Sequence, residues 1–216
     1  MILTKKSKVS GKTIAIIGGI HGNEPAGIQV IKLLQKIKPL TGQLHLIYGN
    51  PEAIKQKVRF TEENLNRAFH NRTGKKYEHV RAREIRKVLK TCDAVLDIHS
   101  YRSTWGIKKP LIICEEGSIE TAKLLGIKTI SYNWKQFHKG STDHYMDKIG
   151  KIGICIECGP NENKESYKIG IEVAERFLVI FGIINKKHKP KKIKHHIVKL
   201  KKDPTDENNK LTIKVK

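Results

Sequence analysis

The chain has 216 residues, with 43 lysines and arginines against 21 acids and a net charge of +22. At 38% hydrophobic and 30% charged it carries enough apolar material for one domain with a substantial core, which excludes a wholly disordered chain. No apolar run approaches the roughly 18–20 residues of a membrane span, so no membrane partner is expected.

Read in chain order, a Lys-rich start leads into an apolar stretch, residues 13–20, that is broken by Gly18-Gly19. It reads as a buried strand over Thr13–Gly18 rather than a signal peptide. Pro25 suits a first helical position, and Ile28, Ile31, Leu34 and Ile37 continue a helix to about Lys38. A second strand, Gln43–Tyr48, is closed by Gly49-Asn50-Pro51. Residues 56–74 are polar and irregular, a long loop of the kind that carries function. A charged helix over His79–Lys90 precedes a third strand, Ala94–Ile98, ending at His99. A strand at Leu111–Cys114, a helix near Ser118–Leu125, strands near Lys128–Tyr132 and Ile152–Ile156 and a helix over Glu165–Phe181 follow. Alternating strands and helices predict a three-layer α/β/α sandwich around a mixed, largely parallel sheet.

After Asn185 the composition changes. Residues 186–216 hold 12 lysines and 3 acids, so the expectation is a catalytic domain over 1–185 and a short basic C-terminal appendage over 186–216, either a tail or two strands separated by a loop. The basic residues are 35 Lys and 8 Arg beside 30 Ile, a skew across the whole chain rather than one selected face. With 6% aromatics and no recognisable module, nucleic acid is not the expected partner. A polyanion-binding role for the tail is the rival reading from another class. His188, His195 and His196 read as part of a solvated basic segment. Four scattered cysteines form no disulfide framework and point to a reducing cytoplasm. Cys155 and Cys158 form a CxxC with no second pair, and Cys155 reads as a small core residue.

The chemistry-bearing residues converge on strand ends, where α/β sheets bind ligands. His21 and Glu24 stand three apart on the glycine-rich turn after the first strand. They can supply two of the three ligands of an open catalytic zinc site, or simply be a surface histidine beside a helix N-terminal acid. His99 can complete the triad, and Asp97, two residues earlier on the same strand face, can hold the far ring nitrogen. In the plainer reading Asp97 and His99 only satisfy each other. Glu157 ends an apolar strand, an expensive place for an acid unless it faces a cleft, where it would act as general base. Two of the eight arginines, Arg59 and Arg67, fall within residues 59–67. Asn66 with Arg67 can hold a carboxylate, and Arg59 can polarise a carbonyl; ordinary solvated charge also fits.

Together HGNEPAG (21–27), GNPEA (49–53), RFTEENLNRAF (59–69), DIHS (97–100) and IECGP (156–160) resemble, in this order, the motifs of the succinylglutamate desuccinylase/aspartoacylase family, a branch of the zinc carboxypeptidase-like hydrolases. The resemblance implies one Zn2+ held by His21, Glu24 and His99, with Glu157 activating water. It also implies Arg59 at the transition-state oxyanion and Asn66 with Arg67 at the substrate carboxylate. The implied reaction is hydrolysis of an N-acyl amino acid, a small acidic substrate, with homo-oligomerisation left open. It further implies a β-rich domain, of which 186–216 would be a vestige, and an arginine for a second substrate carboxylate. Near the expected place for that arginine stands Lys148, with Arg102 as a local replacement. A carboxypeptidase-like peptidase or amidase is the rival enzyme.

Overall fold

The strand after the N-terminal turn shows how the sheet is buried. Ile14 and Ile16 point to one face and Ala15 and Ile17 to the other, and all four are fully enclosed. A period of two with apolar residues on both sides is what a sheet covered on both faces requires. The computed structural model describes residues 1–105, 109–187 and 193–201.

The strands are β1 (Ile2–Lys6), β2 (Thr13–Gly18), β3 (Gln43–Tyr48), β4 (Ala94–Tyr101), β5 (Leu111–Cys114), β6 (Thr129–Tyr132), β7 (Ile152–Pro160) and β8 (His196–Lys199). The helices are α1 (Pro25–Leu34), α2 (Pro51–Gln56), α3 (Tyr77–Leu89), α4 (Ile119–Leu124), α5 (Thr142–Lys148) and α6 (Lys164–Ile180). The strands form one sheet in the order β1-β3-β2-β4-β7-β5-β6-β8. The run β3-β2-β4-β7 is parallel, β1 is antiparallel to β3, and β5 is antiparallel to β7 but parallel to β6, which is parallel to β8. On one face α1, α4 and α6 pack through Val30, Ile31, Ala122, Val173 and Phe177. On the other, α3 and α5 pack through Ala82, Ile85, Leu89 and Met146. The expected three-layer sandwich with a mixed, mostly parallel sheet is the observed one.

Several elements differ from expectation for local reasons. Helix α1 stops at Leu34 rather than near Lys38, and ahead of Pro39 its end tightens into i→i−3 bonds from the Lys36 N–H to Leu33 and from the Ile37 N–H to Leu34. Helix α2 begins where a turn was expected: Asn50 Oδ1 accepts the Ala53 N–H at 3.1 Å and Pro51 occupies the first helical position. Strand β1 and helix α5 were not anticipated, and β7 runs past Ile156 to Pro160, taking Glu157 into the sheet. Part of the basic C-terminal segment also joins the sheet, as β8 pairs with β6 from His196 opposite Thr129 to Lys199 opposite Tyr132. His188, the polar residues 203–210 and the expected final strand near 211–216 lie outside the described residues. No described helix is long and apolar enough to cross a membrane.

Two glycines bring the first helix onto the sheet. A Cβ on Gly27 would run into the Ile98 carbonyl of β4, and one on Gly18 into the Gly27 carbonyl. Their absence lets the N-terminus of α1, with Glu24 just ahead of it, settle against the ends of β2 and β4.

Candidate active site

Parallel pairing of β4 with β7 sets His99 directly beside Glu157 and Asp97 beside Cys155. All four side chains point to the α3/α5 face, because Leu96, Ile98, Ile154 and Ile156 fill the opposite core. The turn after β2 brings His21 and Glu24 to the same place. His21, Glu24, Asp97, His99 and Glu157 are all buried, none more than 9% exposed.

Glu24 stands between the two imidazoles. Its Oε1 lies 2.7 Å from His21 Nδ1, and its Oε2 lies 2.9 Å from His99 Nδ1. The rings meet edge to face with centroids 5.1 Å apart. On the far side of each ring a second oxygen waits. His21 Nε2 lies 3.0 Å from Asn64 Oδ1, and His99 Nε2 lies 3.1 Å from Asp97 Oδ2. Asn64 Oδ1 also accepts the Asn66 N–H at 2.9 Å, so it is an acceptor and His21 Nε2 carries the proton. The Nδ1 lone pair of His21 then faces a carboxylate oxygen with no hydrogen between them, and Nδ1 has no hydrogen-bond partner. A cation accepting from both atoms resolves that repulsion.

The titration behaviour fits the same arrangement. Burial lowers the His21 pKa, only partly opposed by Glu24, so the ring is held neutral as a metal ligand must be. Burial alone would raise Glu24, but His21 and His99 outweigh it and hold its carboxylate ionised. Burial likewise pulls His99 down, but Asp97, Cys155 and Glu24 override it and raise its pKa well above the ordinary value. A metal bound to this ring would take the place of one of its protons, with Asp97 Oδ2 3.1 Å from Nε2. Among the described residues, His21, Glu24 and His99 are the one group of such side chains able to hold an ion, with donor atoms all within 4.8 Å of one another. Two imidazoles and a carboxylate are a donor set used by catalytic zinc.

Glu157 completes this half. Burial, with Glu24 and Asp97 nearby, raises its pKa to about 7 against the pull of His99 and Arg59, and its Oε2 has no hydrogen-bond partner.

The other half comes from the segment between α2 and α3. Arg59 Nη1 donates to Glu24 Oε1 at 2.8 Å, Arg67 Nη1 donates to the Asn66 carbonyl at 2.8 Å, and Asn66 Oδ1 accepts the Thr142 N–H at 3.4 Å. These side chains line a cavity of about 500 Å³ together with His21, Glu24 and Glu157. Lys148 is exposed and does not line it, whereas Arg102 does.

Several contributors were not singled out in the sequence. Glu78, fully buried on α3, accepts from Asn50 Nδ2 and from the Thr61 N–H and hydroxyl on Oε1, and from the Glu62 and Glu63 N–H groups on Oε2. It ties down the start of the arginine-bearing segment. Thr142, on α5, donates its hydroxyl to Asp97 Oδ2 at 2.7 Å. Asp143, Trp134 and His138 add to the cavity wall. The run Ser141-Thr142-Asp143 was the available signal for α5, since such residues favour helix starts; nothing in the sequence marks Glu78.

Comparison with known proteins finds similar chains. Residues 10–178 match the family model of the succinylglutamate desuccinylase/aspartoacylase catalytic domain. A probable aspartoacylase of Nostoc sp. is 34% identical over 164 residues, 68% of this chain and 54% of that protein. The chain thus spans about half the length of the curated relatives it matches. The product-bound structure of the ectoine utilization protein EutE (DoeB) from Ruegeria pomeroyi is similar with a TM-score of 0.79 at 20% identity, covering 94% of this chain and 66% of that one. The tripeptide-bound cell shape determinant Csd4 from Helicobacter pylori has a TM-score of 0.75 at 14% identity, covering 88% of this chain and 57% of that one. At such identities these two likenesses show the fold.

Proposed function

The chain belongs to the succinylglutamate desuccinylase/aspartoacylase family of deacylases, and we propose that it hydrolyses the amide bond of an N-acyl amino acid with one zinc ion held by His21, Glu24 and His99. The observation that carries this reading is the His21–Glu24–His99 cluster with Glu157 beside His99 in the β4–β7 register. Zinc there supplies Lewis acidity, lowering the pKa of water to about 7 and polarising a carbonyl. Glu157 accepts the proton of the attacking water as the C–O bond forms, then delivers that proton to the amine nitrogen as the C–N bond breaks. Its buried carboxylate, raised to about 7, is suited to both directions of transfer. Arg59 stands against Glu24 and donates to the oxygen that gains charge. Arg67 and Asn66 hold the substrate carboxylate, and Asp97, itself fixed by Thr142, keeps the His99 ring oriented.

A cavity of about 500 Å³ admits more than an acylated amino acid, which favours peptide amides as a second reading. N-acetyl-aspartate, N-succinyl-glutamate and short peptides assayed side by side, with metal analysis of the purified protein, separate the two. The His99→Ala variant should lose both zinc and turnover. Glu157→Gln should keep zinc and lose roughly 10²–10⁴-fold in turnover; retention of most activity by that variant would overturn the assigned role.

A further inference from the structure

Five buried side-chain atoms among the described cavity-lining residues have no hydrogen-bond partner: His21 Nδ1, Asn23 Oδ1, Asp143 Oδ2, Glu157 Oε2 and Asn161 Oδ1. All are acceptors. His21 Nδ1 is answered by the proposed metal and Glu157 by the water whose proton it takes, while the two asparagines are neutral. Asp143 is left as a buried carboxyl group with no part in the reaction.

Its position is built by its surroundings. Asp143 is 2% exposed in the first turn of α5. Thr142, its neighbour, is held on one side by Asn66 and on the other by Asp97, so the start of α5 is pinned between the carboxylate-binding segment and the metal cluster. From below, Gly153 of β7 comes so close that a Cβ there would lie 2.6 Å from the Asp143 carbonyl oxygen and 2.7 Å from its Cα. Only a glycine lets the acid sit this deep over the sheet. Burial raises the Asp143 pKa and Asp97 adds to it, against hydrogen bonds from Ser141 and from the backbone N–H groups of Asp143 and His144. No cation of the described chain bonds its Oδ2. A buried carboxyl is driven toward its neutral form unless a counter-charge is supplied, so a site of that kind discriminates strongly for a ligand cation that lets it ionise.

We propose that Asp143 is a specificity residue that receives a primary ammonium group of the substrate, making N-acylated diamino acids of the ornithine and lysine type the preferred class. This rests on the deacylase reading above and narrows it. The amino acid presents its carboxylate to Arg67 and its side-chain ammonium to Asp143, with the acyl group on the α-nitrogen. It replaces the second substrate carboxylate that the family resemblance led one to expect.

The test compares Nα-acetyl-ornithine and Nα-acetyl-lysine with the neutral isostere Nα-acetyl-norleucine and with N-acetyl-glutamate, using zinc-loaded wild type and Asp143→Asn. Wild type should favour a basic substrate over norleucine by at least tenfold in kcat/KM, about 1.4 kcal/mol, mainly through KM. In Asp143→Asn that ratio should fall to within about twofold of unity. Equal use of norleucine by wild type, or a preference that survives in the variant, overturns the proposal. Calorimetric binding of free lysine against free norleucine to the wild-type protein gives a second readout independent of turnover and of the variant's folding. If no acylated amino acid is cleaved, the deacylase reading fails, and this binding still decides the Asp143 site. Equal affinity for the two amino acids then ends it.

Discussion

His21, Glu24, His99 and Glu157 stand on neighbouring parallel strands or on the turn that follows one, whereas Arg59, Asn64, Asn66 and Arg67 ride on a segment whose regular structure is one 3-10 turn, Leu65–Arg67. The first group is placed by ladder hydrogen bonds and by apolar packing on both sheet faces. The second is placed by side chains: Glu78 at its start, and Asn64 and Asn66 reaching to His21 and Thr142. The proposed metal site therefore rests on the part of the fold that is hardest to deform. The proposed substrate-binding segment rests on a part that single polar contacts hold.

Replacing Glu78 by Gln presses hardest on that contrast. A carboxamide keeps one acceptor, but its NH2 faces the Glu62 and Glu63 N–H groups that now bond Oε2. Two donors then lose their acceptor, at about 1–3 kcal/mol each. The segment should shift, and a displacement of about 1 Å at a positioning group can cost on the order of 100-fold. Steady-state kinetics on the best acylated substrate should show that loss mainly in KM, with zinc content unchanged. Loss of zinc in the same variant would mean that the two halves form one unit.

Asn64 is where they touch. Its Oδ1 accepts from both His21 Nε2 and the Asn66 N–H, so Asn64→Leu removes the group that fixes the His21 tautomer. Zinc affinity, measured by chelator competition, should fall roughly 10–100-fold, the usual effect of losing such a partner. An unchanged affinity would confine the metal's support to the strands.

The same contrast separates what could be read in the sequence from what could not. His21, Glu24, His99 and Glu157 could be singled out because apolar runs locate strands and polar residues at or after their ends stand out. Each signal is weak alone, and the five motifs that resemble a family in order carry most of the weight. Asp97 was legible by its spacing of two from His99. The pairing of β5 antiparallel to β7 was not, because short apolar runs carry no mark of direction. Glu78 looked like one more charge on a strongly charged helix, and only burial shows it as the anchor of a distant segment. Asp143 was hidden for a related reason: its buried place depends on Gly153, which belongs to a strand ten residues further on.

The cavity wall formed by Trp134 and His138 adds a smaller test, through pH. Glu115, just after β5, accepts the Lys135 N–H at 2.8 Å and lies 1% exposed. Burial raises its pKa from 4.5 to about 7, and Asp143 adds to the rise while Lys135 opposes it. Between those values the folded chain binds the proton that the unfolded chain has released, so this group's contribution to stability declines as pH rises through the window. Below about 4.5 both states hold the proton and the penalty vanishes; above about 7 it is complete. Glu115→Gln keeps an acceptor for Lys135 and removes the titration. The melting temperature of the variant relative to wild type should therefore climb between pH 5 and pH 8, by roughly 2–4 °C for each kcal/mol recovered. A difference that stays constant across that range would show that the Glu115 carboxyl titrates alike in the folded and unfolded chain, and that burial beside the cavity wall does not hold its proton.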